Sequence, residues 1–236
     1  VRVVDLTRIV SGPFCTQLLA DLGADVIKIE PPEGDPIRAQ GAIVEGLSWY
    51  FAAFNRNKRS VVLDLHAAAG RRALERLVAT ADVVVDNFRP GVMAALGLSR
   101  DRLDAIRPGI IHTSVTGFGA TGPYVDRPAF DFIAQAMSGW MSMNGTPESG
   151  ALRSGPPISD LVAGLYAALG TVAALFRRER TGRGERVGAA LVDGDGAAFV
   201  VSQPMEDDLN ALLDTFQSVG SPALQQMLAF ERTRLQ

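Results

Sequence analysis

A lone carboxylate, Asp160, stands where a breaker-rich approach, Ser154-Gly155-Pro156-Pro157-Ile158-Ser159, gives way to the apolar, Ala- and Gly-rich run 161–170. At a helix start an aspartate has two uses. Its oxygens can accept hydrogen bonds from the free N–H groups of the first turn. Held at a cleft, the ionised group can instead attack a carbonyl and carry the acyl group covalently. The residue by itself leaves both uses open. Arg89, within Asn87-Phe88-Arg89-Pro90, and the basic run Asn57-Lys58-Arg59 are candidate anion contacts. A guanidinium suits phosphate because its planar fork donates two parallel hydrogen bonds, although each of these segments also reads as a solvated basic turn. The glycines of 117–123 let backbone N–H groups approach an oxyanion closely, or make a flexible connection. Arg177, Arg178 and Arg180 close the run that Asp160 opens, where cations complement a helix dipole. Trp140 with Met137, Met141 and Met143 reads as core or dimer contact, or as the lining of an acyl pocket. The chain holds one cysteine, Cys15, and two histidines, His66 and His112. That excludes an internal disulfide framework and a cysteine-based zinc cluster, so no metal is expected.

Two alternating hydrophobic periods give the elements that must position these groups. Strands are expected at 1–6, 25–30, 60–65, 82–86, 109–115 and 186–192, and helices at 14–22, 68–79, 92–97, 100–106, 131–140 and 160–178, with a Gly/Pro/Ser loop at 144–157. Strand, helix and strand within the first thirty residues is the mark of a right-handed βαβ unit. Its repetition predicts an α/β fold, a parallel sheet covered by helices on both faces. Ligands of such sheets bind beyond the carboxyl ends of the strands, here 8–12, 87–91 and 116–123. Residues 203–236 read as amphipathic helix with polar linker character.

At 236 residues, 47% hydrophobic and 21% charged, the chain can bury a good-sized core. A net charge of −3 gives no basic excess for a nucleic-acid backbone. The apolar run 161–176 reads as too short and too rich in Ala and Gly to cross a membrane. No leader is seen, and the chain reads as cytoplasmic.

Several long motifs in order resemble the family III CoA-transferases, the CaiB/BaiF group. They are Asp5-Leu6-Thr7-Arg8, the stretch 12–30, Asn55-Arg56-Asn57-Lys58-Arg59-Ser60, Asn87-Phe88-Arg89-Pro90-Gly91, Gly117-Phe118-Gly119 with Thr121-Gly122-Pro123-Tyr124, and Arg180-Thr181-Gly182-Arg183-Gly184. The resemblance implies a large Rossmann-like CoA-binding domain over 1–200. It further implies a linker or partial second-domain segment over 201–236, with the later part of the family fold missing, and an interlocked homodimer. Its substrates would be coenzyme A as acyl-CoA and a small organic acid. Asp160 falls on the family's catalytic aspartate, which forms an acyl anhydride and then an aspartyl-CoA thioester. Val10 and Ser11 would lie along the pantetheine arm, Leu63, Asp64, Leu65 and His66 beside the adenosine, and Asn87, Phe88 and Arg89 at the phosphates, with Arg59 among the CoA contacts. Ser159 and Gly164 would leave room for a thioester.

The sequence departs from the family at three positions: His66 stands where many relatives have Lys, Ala95 where many have Arg, and Phe130 where a racemase branch has histidine. A phenyl ring exchanges no proton, so a two-base racemase mechanism lacks one base. His112 sits in a strand and reads as packed, and Asp131 as a helix-start residue. The family's glycine-rich loop over the aspartate has no evident counterpart. A non-catalytic CoA-binding protein on the same fold is a third reading.

Overall fold

A computed structural model of the chain describes residues 1–196. In chain order its elements are β1 (Arg2–Asp5), α1 (Ser11–Asp21), β2 (Asp25–Glu30), a 3-10 turn (Pro36–Ala39), β3 (Ile43–Val44), β4 (Leu47–Ser48), α2 (Trp49–Asn55) and β5 (Lys58–Val62). There follow α3 (Ala68–Val78), β6 (Val83–Asp86), α4 (Val92–Ala95), α5 (Arg100–Ile106), β7 (Ile111–Thr116), α6 (Asp131–Met137) and α7 (Trp140–Met143). The last are β8 (Gly145–Thr146), β9 (Gly150–Ala151), α8 (Ile158–Thr181), β10 (Arg186–Ala190) and α9 (Leu191–Gly196).

Six strands form one sheet in the order β10-β7-β6-β1-β2-β5, every neighbour parallel. The chain builds outward from β1 to β5, then returns across β1 to build the other half. The order therefore reverses between β1 and β6, the place where a doubly wound sheet leaves a crevice. Alternation along the strands feeds two cores. Val3, Val83 and Val85 face α1 and α8, whereas Val4 and Val84 face α3 and α5, all five side chains being buried.

Several elements differ from expectation. α1 begins at Ser11, three residues early, because the N–H of Phe14 already bonds the carbonyl of Val10 at 2.8 Å. The strand expected over 186–192 ends at Ala190 and the chain turns into α9. The helix expected over 131–140 breaks at Gly139, whose φ of 83° no helix interior holds. The loop 144–157 contains the hairpin β8–β9.

α8 is longer than expected, 24 residues, and a window of it has mean hydropathy 1.7, so it is long and apolar enough to cross a membrane by length and composition alone. Its span thus corrects the expectation drawn from the shorter run. Its small residues Ala163, Ala167, Thr171 and Ala174 are buried in the core on the α1 side of the sheet. The expected amphipathic tail 203–236 and the second segment 201–236 lie outside the described residues.

Candidate active site

The crevice at the sheet reversal holds a cleft of about 230 Å³ lined by the loops after β1, β6 and β7 and by Asp160. The loop after β1 is fixed almost atom by atom. Asp5, at the end of β1 and fully buried, accepts from the Thr7 N–H at 2.9 Å and from the hydroxyl of Thr16 at 2.7 Å, and pairs with Lys58 Nζ at 3.1 Å. Burial alone would raise the Asp5 carboxyl; the charges of Lys58 and Lys28 and the two threonine hydroxyls outweigh it and hold the group below its ordinary range. One step on, Asn87 clamps Arg8 at both backbone groups, accepting from its N–H at 2.9 Å and donating to its carbonyl at 2.8 Å. The side-chain amide of Asn87 therefore joins the two loops and is already engaged by protein.

Asp160 occupies the first turn of α8, and the expected capping role belongs to another residue. Asp131, at the start of α6, accepts from the Ser159 N–H at 2.8 Å and the Asp160 N–H at 3.3 Å. Gln135 holds that carboxylate from its other oxygen at 2.6 Å and fixes the Ser154 N–H at 2.8 Å, so one network sets the whole approach to α8. The Asp160 carboxyl is left with a hydrogen bond from Ser11 and an opening onto the cleft. Burial, and secondarily the charge of Asp131, push its pKa up to about 7. The helix N-terminus opposes this with roughly 0.3–1 kcal/mol, less than the 1.36 kcal/mol of one pKa unit, so burial wins. A carboxylate half ionised near neutrality can add to a thioester carbonyl and can also leave from one.

Gly164 lies one turn beyond Asp160 on the same helical face. A Cβ there would sit 2.5 Å from the Ser11 carbonyl oxygen, so the missing side chain lets α8 press onto the start of α1 and brings Ser11 to Asp160. Its smallness serves this helix contact. Gly117 lines the cleft, and a Cβ on it would meet that of Ala129 at 2.5 Å. The N–H of Gly119 is taken by the Thr116 hydroxyl at 3.0 Å.

A second cleft of about 430 Å³ lies beyond β2 and β5, lined by Leu63, Asp64, Leu65 and His66 with Glu30, Pro31 and Pro32. Arg8 and Phe88 belong to both clefts, the Arg8 guanidinium standing 5.4 Å over the Phe88 ring, so one wall joins them. Val10, Ser11, Asn87, Phe88, Arg89 and Asp160 thus gather at the first cleft and residues 63–66 at the second. Arg59 reaches neither lining and pairs with Asp25. Arg178 bonds Asp82 at 3.0 Å and Arg177 pairs with Glu185, tying the end of α8 to the sheet. Met137 and Met143 are exposed, and the Trp140 indole donates to Ser154 at 2.6 Å. Phe130 lines the Asp160 cleft, whereas His112 is buried on β7 against Asp86 at 2.7 Å and lines a neighbouring cavity that shares Phe88, Arg89, Pro90, Thr116 and Val125 with that cleft.

Two residues of the cleft carry no mark of their own in the sequence: Arg8 sits inside a longer motif, and Arg127 three residues before Phe130. Along with Arg89, both line the Asp160 cleft, and none of the three guanidiniums has a carboxylate partner among the described residues. Among those residues no group of three or more His, Cys, Asp or Glu could hold a metal ion.

Residues 1–221 match the family model described as CoA-transferase family III. A succinate–glutarate CoA-transferase of Agrobacterium fabrum is 43% identical over 207 residues, 84% of this chain and 52% of the relative. An acetyl-CoA:oxalate CoA-transferase of Acetobacter aceti is 45% identical over 194 residues, 81% of this chain and 50% of the relative. Among solved structures, a CaiB/BaiF family protein from Brucella suis superposes with a TM-score of 0.80 at 41% identity, covering 94% of this chain and 58% of that one. The chain spans about half the length of the curated relatives it matches.

Proposed function

The chain belongs to CoA-transferase family III, and from that premise we propose that it moves CoA from an acyl-CoA donor to a small dicarboxylic acid through a thioester on Asp160. The carrying observation is a cleft-facing carboxylate, desolvated to a pKa of about 7, whose capping duty is performed by Asp131. The ionised carboxylate adds to the thioester carbonyl and the C–S bond breaks, giving a mixed anhydride and CoA thiolate. The thiolate then attacks the Asp160 carbonyl of the anhydride, releasing the donor acid as its carboxylate and leaving the aspartyl-CoA thioester. The acceptor carboxylate repeats the two exchanges in reverse order and regenerates Asp160. One negative charge is conserved throughout, and no step needs an oxidant or a metal.

The pantetheine arm is assigned to Val10 and Ser11, the phosphates to the wall of Arg8, Phe88 and Arg89, and the adenosine to the cleft of residues 63–66. A dicarboxylic acceptor is favoured because succinate, glutarate and oxalate in the relatives' names are diacids, and because guanidiniums with no carboxylate partner among the described residues line the cleft. One carboxylate takes the CoA and the second needs a cation, for which Arg127, which lines this cleft and not the second one, is the candidate. An interlocked homodimer acting in the cytoplasm completes the reading. Racemisation is disfavoured by Phe130 at the cleft and by the absence of His112 from its lining, the His112 ring being held against Asp86.

The test is mass spectrometry of the full-length protein after incubation with acyl-CoA. CoA attached to Asp160, absent in Asp160→Ala, is the expected result. Unimpaired transfer by Asp160→Ala would reject the mechanism; bound CoA with no transfer to any diacid would leave a binding protein.

A further inference from the structure

The loop between β1 and α1 contains the one β-branched residue with positive φ among the described residues, Ile9 at 71°. An L-residue there crowds its Cβ against the backbone, and branching makes the crowding worse. Such a conformation persists only where the surroundings impose it. Here the Ile9 N–H donates to both oxygens of Asp35, at 3.1 and 3.3 Å. Asp35 is itself held by Lys28, Nζ to Oδ2 at 2.8 Å, and its own N–H donates to Glu30 at 2.9 Å. Lys28 also donates to the Thr7 carbonyl at 2.9 Å, so the pair grips the loop on both sides of Arg8. Both charged side chains are 1% exposed.

Stability does not account for such a pair, because a buried ion pair can be replaced by apolar residues of similar volume at little or no loss. Geometry does. The two residues after Ile9 are Val10 and Ser11, and Ser11 bonds Asp160 by its hydroxyl and abuts Gly164 by its carbonyl. We propose that Lys28 and Asp35 are positioning residues of the Asp160 site: they hold Ile9 in its left-handed turn and thereby set the Val10–Ser11 backbone against the carboxylate. The inference rests on the reading of Asp160 as nucleophile.

The experiment uses the full-length protein with Lys28→Met and Asp35→Leu together, which removes the clamp without leaving a buried charge unpaired. Turnover is expected to fall at least about tenfold, since a misplacement of about 1 Å near reacting groups costs up to about 10²-fold. Adding Ile9→Gly should bring turnover back to within about fivefold of the parent, because glycine occupies the left-handed region without strain. A purely structural pair would lower the melting temperature, leave turnover per folded molecule alone and gain nothing from glycine. Parental turnover in the folded double variant, or a loss that glycine fails to restore, overturns the proposal. Amide hydrogen exchange of the unmodified protein judges the clamp whether or not the variants fold: slow exchange at Ile9, matching β1, is expected, and rapid exchange there rejects it. If the unmodified protein forms no adduct at Asp160, the nucleophile reading fails while the exchange result still decides the clamp.

Discussion

Two carboxylates at the start of α8 divide work that one could not do. An aspartate that accepts N–H bonds from the first turn is stabilised in its charged form and is a poor candidate for covalent exchange. Asp131 takes those bonds, and its charge adds to burial in lifting Asp160 to about 7. Activity should therefore follow ionisation of Asp160, with kcat/KM for acyl-CoA falling about tenfold per pH unit below 7 and levelling above it. Asp131→Asn keeps an oxygen for the cap but removes the charge, so the midpoint should move to lower pH by up to about one unit. A profile that does not move would assign the whole shift to burial. The sequence made Asp160 visible because a carboxylate amid breakers and alanines is conspicuous. Asp131 looked like a helix start for its own α6; that it caps α8, some thirty residues on, is a property of the folded chain.

α8 and α1 meet through an absence of side chain. Gly164 lets α8 lie against the carbonyl of Ser11, and Gly164→Ala would drive a methyl group into backbone that cannot swing aside. A loss of about 1–3 kcal/mol in denaturant unfolding is expected, with reduced transfer as α8 moves off α1. Wild-type stability and transfer in this variant would show that the contact relaxes freely. The regular elements were legible because parallel strands with flanking helices impose two distinct periods on the sequence. α2 is not, since it is seven residues long and apolar almost all round from Trp49 to Phe54, with no polar face to give it a period. The end of β10 is hidden for the same reason. Ala189-Ala190-Leu191-Val192 is apolar throughout, and nothing local marks where extended chain becomes helix. Lys28 carries a signal, a charge inside the apolar strand Asp25–Glu30, but its partner Asp35 lies in an irregular turn that no periodicity locates.

At the scale of the whole molecule, the carboxyl ends of the strands gather charge that the core would otherwise exclude, and this couples stability to pH in two opposite ways. Glu30 is buried at the end of β2, and burial alone would raise it; the fork of Arg38, both contacts at 2.7 Å, with the Ser60 hydroxyl and the Asp35 N–H, outweighs burial and lowers it to about 2. Its folded pKa is depressed, so its stabilisation is present above about 4.5 and is lost as pH falls through 2. That amounts to at most about 3 kcal/mol at 1.36 kcal/mol per unit, reduced by solvent screening at the half-exposed Arg38. Asp160 runs the other way. Its folded pKa is raised, so the folded state holds a proton that the unfolded chain has released, and the penalty grows as pH rises from about 4 to about 7. Urea titrations across that range should find Asp160→Asn gaining on the parent up to pH 7, and holding a constant advantage above it. A parallel pair of curves from pH 4 to 8 would mean that Asp160 ionises as freely in the fold as in the unfolded chain. Desolvation of the carboxylate would then be no part of how this site activates it.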